Sequence, residues 1–128
     1  MGVALVTIVV PDYDAGIAFY VGALGFDLVT DEDQGSGKRW VTVRPPDDPN
    51  GTALLLARAA DATQRASIGN QTGGRVGFFL ETPDFEASYD RMIRAGVQFE
   101  EAPRSEPYGQ VAVFRDPFGN RWDLLQRR

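Results

Sequence analysis

One short segment occurs twice. Pro11-Asp12-Tyr13-Asp14-Ala15 returns 72 positions later as Pro83-Asp84-Phe85-Glu86-Ala87, each time after a β-branched or aromatic run and ahead of a helical pattern. Recurrence of a whole pattern at a fixed offset marks an internal duplication. The chain therefore has to fold as two copies of one supersecondary unit.

The order of elements supports this reading. In the first copy Val3 to Val10 is a strand rich in Val and Ile, and Asp12 is placed to cap a helix. Ile17, Tyr20, Val21 and Leu24 then recur at helical spacing until Gly25 ends it. In the second, Val76 to Leu80 is the strand, Asp84 the cap, and Phe85, Tyr89, Met92 and Ile93 the buried stripe before Gly96. Three shorter strands follow each helix, at 26–30, 39–44 and 52–58 and again at 97–100, 110–114 and 121–126. Each half reads β-α-β-β-β. The expected organisation is one domain over 1–128, with a first module at 1–58, a polar linker at 59–74 carrying one short helix near Ala60 to Ala66, and a second module at 75–128.

Composition narrows the functions. A chain of 128 residues buries about two-thirds of the surface its unfolded form exposes, enough for a core. The formal charge of −5 is scattered without a basic stripe, which argues against a nucleic-acid partner. The apolar run from Val3 to Val10 is far shorter than the roughly 20 residues that span a bilayer, so no membrane partner is expected. The N-terminal residues also lack the basic start of a secretory signal. There are no cysteines, hence no disulfides, thiolate metal site or cysteine nucleophile, which fits a cytoplasmic protein. There is also no histidine, which removes the usual serine triads and the commonest metal ligand.

The segment Val111 to Leu125, VAVFRDPFGNRWDLL, consists of two strand-like runs joined by Asp116-Pro117-Phe118-Gly119-Asn120, with the carboxylate of Asp123 inside the second run. Taken with the duplication and with VPDYDAGIAFYVGALGF, this hairpin resembles the close of the vicinal oxygen chelate superfamily, which includes glyoxalase I, extradiol dioxygenases and bleomycin-resistance proteins. The resemblance covers nearly the whole chain. It implies an α+β fold in which two βαβββ modules form a curved, incomplete barrel around a cup. It also implies that homodimers are common, and that metal-dependent members place His or Glu ligands on several strands of the cup.

Carried over position by position, that ligand set is mostly missing. Its positions hold Leu5, Leu55 and Arg75, and only Asp123 remains as a donor. A transition-metal site needs three or four converging N, O or S donors, and a guanidinium would repel the cation. No metal and no cofactor are therefore expected. Asp31-Glu32-Asp33 and Asp47-Asp48 read as solvated charge in loops rather than as a calcium site.

The cup-lining candidates implied by the resemblance are Leu5, Thr7, Trp40, Leu55, Arg75, Phe79, Tyr108, Phe114 and Asp123. An apolar wall with a few polar groups is the usual lining of a small-molecule pocket, and also that of an ordinary core. An Arg75–Asp123 ion pair is expected at the former metal position, either leaving Arg75 to anchor a ligand oxygen or serving only as a structural pair that fixes the strands. Tyr108, in Pro107-Tyr108-Gly109, is placed to overhang the cup mouth. No catalytic pair can be assigned. The reading is a bleomycin-resistance-like protein that holds a small, partly apolar or aromatic molecule in a metal-free cup as a homodimer. The alternative is an enzyme of the same scaffold, lyase, isomerase or dioxygenase-like, with an atypical metal site or none.

Overall fold

The computed structural model describes all of residues 1–128 and divides them into two compact units, Met1–Ile68 and Gly69–Arg128. The first unit contains β1 (Leu5–Val10), α1 (Tyr13–Ile17), β2 (Asp27–Asp33), β3 (Arg39–Arg44), β4 (Ala53–Arg58) and α2 (Ala62–Ser67). The second contains β5 (Val76–Glu81), α3 (Phe85–Arg94), β6 (Gln98–Phe99), β7 (Arg104–Glu106), β8 (Gly109–Arg115) and β9 (Arg121–Arg127).

The two units repeat one topology, as the duplicated sequence requires. The strand orders are β1-β4-β3-β2 and β5-β9-β8-β6, with β7 as a further partner of β8. In each unit the first strand lies parallel to the last, while the remaining pairs are antiparallel. The class is α+β, with two open sheets and few helices.

Both recurring aspartates cap their helices. Asp12 Oδ2 accepts from the Ala15 amide at 3.0 Å and Asp84 Oδ1 from the Ala87 amide at 3.1 Å, satisfying amides that have no partner inside the helix. The first helix departs from a regular periodicity. After Ile17 it widens into a π-helical stretch, Ala18–Ala23, in which the Leu24 amide reaches back to the Phe19 carbonyl at 2.9 Å. The wider turn lets the adjacent Phe19 and Tyr20 both face the core, with their rings edge-on at 5.0 Å. Gly16 lets this helix approach the sheet closely. A Cβ there would lie 3.1 Å from Leu56 Cδ1 and 3.4 Å from Val10 Cγ1.

One face of each sheet is packed beneath its helix. In the first unit Ile8, Val10, Val41, Val43, Leu54 and Leu56 form that layer. In the second it is an aromatic ladder: Phe78 stacks on Trp122 at 4.7 Å, Trp122 on Phe114 at 5.7 Å, and Phe114 meets Phe99 at 5.6 Å. Ile93, expected in the buried stripe of α3, is exposed, while Phe85 and Met92 are buried.

The stretch 59–74 is not a uniform linker. Asp61 caps α2 by accepting from the Gln64 amide at 2.8 Å, and Gln64 Oε1 accepts from the amide of Ala60, the residue before the cap, at 2.8 Å, so α2 and its approach belong to the first unit. The residues from Gly69 onward belong to the second unit, where Arg121 Nη1 donates to the Gly74 carbonyl at 3.0 Å.

Candidate functional site

Because side chains alternate across a strand, the residues between the core positions share the opposite, uncovered face of each sheet. In the first unit this face carries Leu5 and Thr7 on β1, Ala53, Leu55 and Ala57 on β4, and Trp40, Thr42 and Arg44 on β3. Thr7, Leu55, Thr42 and Thr30 form a row in register across the four strands. The Thr30 and Thr42 hydroxyls are 2.6 Å apart, one donating to the other. Of the expected lining residues, Leu5, Thr7, Trp40 and Leu55 therefore occupy one surface.

In the second unit the face away from the helix carries Phe79 on β5, Asp123 on β9 and the buried Val113 on β8, three residues in register with one another. Phe79 is 63% exposed. Asp123 is half-buried, and its Oδ1 is shielded from solvent without a hydrogen-bond partner. Burial raises the Asp123 pKa above the ordinary carboxylate value; Arg104 and Arg121 oppose that shift, and Glu101 adds to it. Arg104 directs Nε to Glu101 Oε1 at 3.1 Å and Nη1 to Glu106 Oε1 at 2.7 Å, and Asp123 Oδ1 stays without a partner. Tyr108, half exposed in the β7–β8 turn, is among the groups that favour the charged form of Arg104.

Two expected site residues lie elsewhere. Arg75 precedes β5 and is exposed, four residues before Phe79, the residue level with Asp123; four strand residues span about 13 Å. No Arg75–Asp123 ion pair forms. A bulge at Gly77, between Val76 and Phe78, sets the register that puts phenylalanine at that position. Phe114 is fully buried on the helix side, because it pairs with Trp122 while its neighbour Val113 pairs with Asp123. It is core and lines nothing. The Asp31-Glu32-Asp33 cluster is also placed differently, since it lies on β2 rather than in a loop.

Asp31 is gripped by Arg39 through two hydrogen bonds of 3.1 and 2.8 Å, and Arg39 also reaches Asp14 at 2.9 Å. The Arg39 and Arg58 guanidinium groups both lie over the Tyr13 ring, 5.3 and 5.2 Å from its centroid. A cavity of about 410 Å³ opens here, lined by Asp31, Asp33, Gly35, Ser36, Gly37 and Arg39. Its carboxylates are already engaged, Asp31 by Arg39 and Asp33 by the Gly35 amide at 2.8 Å.

The residues present do not fit the metal that the resemblance brings with it. Leu5 and Leu55 offer no donor, and replacing Arg75 by Phe79 as the neighbour of Asp123 adds none. No group of three or more carboxylates is placed so that it could hold a metal ion. Sequence reasoning missed Arg44, although the alternation in Trp40-Val41-Thr42-Val43-Arg44 already places it on the face of Trp40.

Comparison with known proteins agrees with this fold. The profile of the Glyoxalase/Bleomycin resistance protein/Dioxygenase superfamily matches residues 2–124, and the chain belongs to that superfamily. An uncharacterized protein of Shewanella frigidimarina is 52% identical over 122 residues, covering 94% of this chain and 90% of its own. The crystal structure of UcmS2 superposes with a TM-score of 0.85 at 34% identity, covering 98% of this chain and 97% of its own. TnmS3, described as an antibiotic binding protein from Streptomyces sp. CB03234, superposes with a TM-score of 0.79 at 32% identity, covering 100% of this chain and 97% of its own. No helix is long and apolar enough to cross a membrane.

Proposed function

We propose that this chain binds and sequesters a small, partly apolar or aromatic molecule on its uncovered sheet faces, without a bound metal or cofactor. The observation that carries this reading is the Asp123 carboxylate, left with an unpartnered oxygen between Phe79 and Val113. A buried acceptor without a donor costs free energy, and a ligand that brings an O–H or N–H together with an aromatic ring supplies both contacts. The likeness to TnmS3, named for antibiotic binding, supports the same class of ligand.

The binding protein is proposed to act as a homodimer in the cytoplasm. Val6 on the edge strand β1 and Leu28 and Val29 on the edge strand β2 leave apolar surface exposed, which favours a partner. The absence of cysteine suits a reducing compartment.

An enzyme of the same scaffold is the second reading, favoured by the raised pKa of Asp123, which moves that carboxylate toward the range of a general base. Against it, no second group is placed to share a proton transfer.

Titration with 2-naphthol, a planar ring with one hydroxyl donor, tests the first reading. Phe79→Ala and Asp123→Asn are each expected to raise its Kd by about fivefold, a little under the tenfold that corresponds to 1.4 kcal/mol. Affinity unchanged in both variants would remove the Phe79–Asp123 face as a binding site.

A further inference from the structure

The uncovered face of the first unit carries one cation with nothing to hold it. Arg44 is half-buried at the end of β3, and its Nε is shielded from solvent without a hydrogen-bond partner. Asp27 stands level with it on β2, yet no ion pair joins them, and the guanidinium donates to no other group in the chain. The other cations of the sheets are committed: Arg39 to Asp14 and Asp31, Arg104 to Glu101 and Glu106, Arg115 and Arg121 to Glu100, and Arg127 to Glu81. Arg58 lies against the Tyr13 ring. Arg44 is the exception.

Its surroundings have the chemistry of an oriented ligand face. Thr42 and Trp40 follow at two-residue intervals on the same side of β3, so the Trp40 backbone lies about 13 Å from that of Arg44 along the strand. The adjacent β4 contributes Ala53, level with Leu5, and Leu55, so the floor between Trp40 and Arg44 is largely apolar. The Thr30 and Thr42 hydroxyls bond to each other, and Arg44 Nε is a buried donor on this face without a partner. A guanidinium in this setting binds a carboxylate, sulfonate or phenolate more strongly than a neutral group, because the hydrogen bond is charge-assisted and partly desolvated.

We propose that Arg44 is the anion anchor of the first unit's uncovered face, and that this face takes an aromatic molecule with an acidic oxygen group, its ring toward Trp40. The inference rests on the small-molecule reading above and narrows it to acidic ligands. It also separates the two faces by charge, with Asp123 accepting from a donor on one and Arg44 donating to an anion on the other.

Two probes of similar aromatic size isolate the claim: 1-anilinonaphthalene-8-sulfonate, which is anionic, and N-phenyl-1-naphthylamine, which is neutral. Quenching of Trp40 emission, identified by its loss in Trp40→Phe, reports binding at this face. Arg44→Gln is expected to raise the Kd of the sulfonate about tenfold and to leave that of the neutral amine unchanged. Arg44→Lys, which keeps the charge without the fork, is expected to fall between. Should Arg44→Gln fail to fold, Arg44→Met, which preserves the aliphatic stem, gives the same contrast.

An equal effect on both probes, or none on either, would overturn the anchor while leaving small-molecule binding intact. The anchor is equally overturned if Arg44→Gln and Arg44→Met both dissociate an oligomer and leave the sulfonate affinity unchanged, because Arg44 then serves an interface. Wild-type protein that shows no Trp40 quenching by either probe, and no saturable binding of 2-naphthol, would overturn the underlying reading together with the anchor.

Discussion

Phe79 and Asp123 stand opposite one another across the parallel β5–β9 pair, an exposed ring beside a carboxylate with one oxygen buried and unbonded. Folding disfavours the charged form of Asp123, because burial raises its pKa above the unfolded value near 3.8. For an acid shifted upward, the penalty is full above the folded pKa, fades as pH falls through it, and is absent below the unfolded value. Asp123→Asn is accordingly expected to raise the urea midpoint at pH 7 and to lose that advantage toward pH 3.8. A destabilised Asn variant at neutral pH would mean that the carboxylate has a partner in the folded chain.

Glu100, in the bend that follows β6, has the opposite sign. Burial pushes its pKa up, but hydrogen bonds from Arg121 and Arg115 outweigh that and hold it below the ordinary value. The stability it contributes is present above its unfolded pKa and is lost as pH falls through the folded one. Glu100→Gln is expected to lower the urea midpoint at pH 7 and to match wild type at the acid end of a pH series. A constant difference across the series would contradict the assigned ion pairs.

Asp116 holds the β8–β9 hairpin together. Its buried carboxylate accepts from the Phe118 and Asn120 amides at 3.0 and 2.9 Å and from Asn120 Nδ2 at 2.6 Å. Removing a charged acceptor of this kind leaves buried donors unpaired, so Asp116→Ala is expected to cost about 3 kcal/mol by denaturant unfolding. A cost below about 1 kcal/mol would show that these donors find water instead.

Arg39 ties the β2–β3 hairpin to the first helix through Asp14, Asp31 and the Tyr13 ring. Its ion pairs are solvent-exposed and therefore screened by salt. Arg39→Ala is expected to lower the urea midpoint in low salt and to lower it measurably less in 1 M NaCl. A salt-independent loss would point to packing on Tyr13 as the main contribution.

The features that local chemistry determines were readable in the sequence. The Pro-Asp-aromatic repeats announce the capping aspartates, and the apolar runs announce every strand but one. Residues 104–106, Arg-Ser-Glu, carry no apolar alternation, and they become a strand only because β8 offers an open edge. The π-helical stretch was hidden because Ile17, Tyr20, Val21 and Leu24 also satisfy ordinary helical spacing. Site geometry depends on register, which a single sequence does not encode: the bulge at Gly77 makes Phe79 the neighbour of Asp123, and the pairing of β8 with β9 sends Phe114 into the core. Arg44 was visible through alternation alone, two and four residues from Thr42 and Trp40. Its importance comes from lacking a partner, and that is seen only in three dimensions.

Metal-independent ligand binding is tested most directly by calorimetric titration of 2-naphthol into protein as purified and after EDTA treatment, with elemental analysis of both samples. Saturable binding with the same Kd in the two samples, and no stoichiometric divalent metal in either, is the expected result. Binding that disappears with EDTA and returns with one equivalent of a divalent metal would contradict the account.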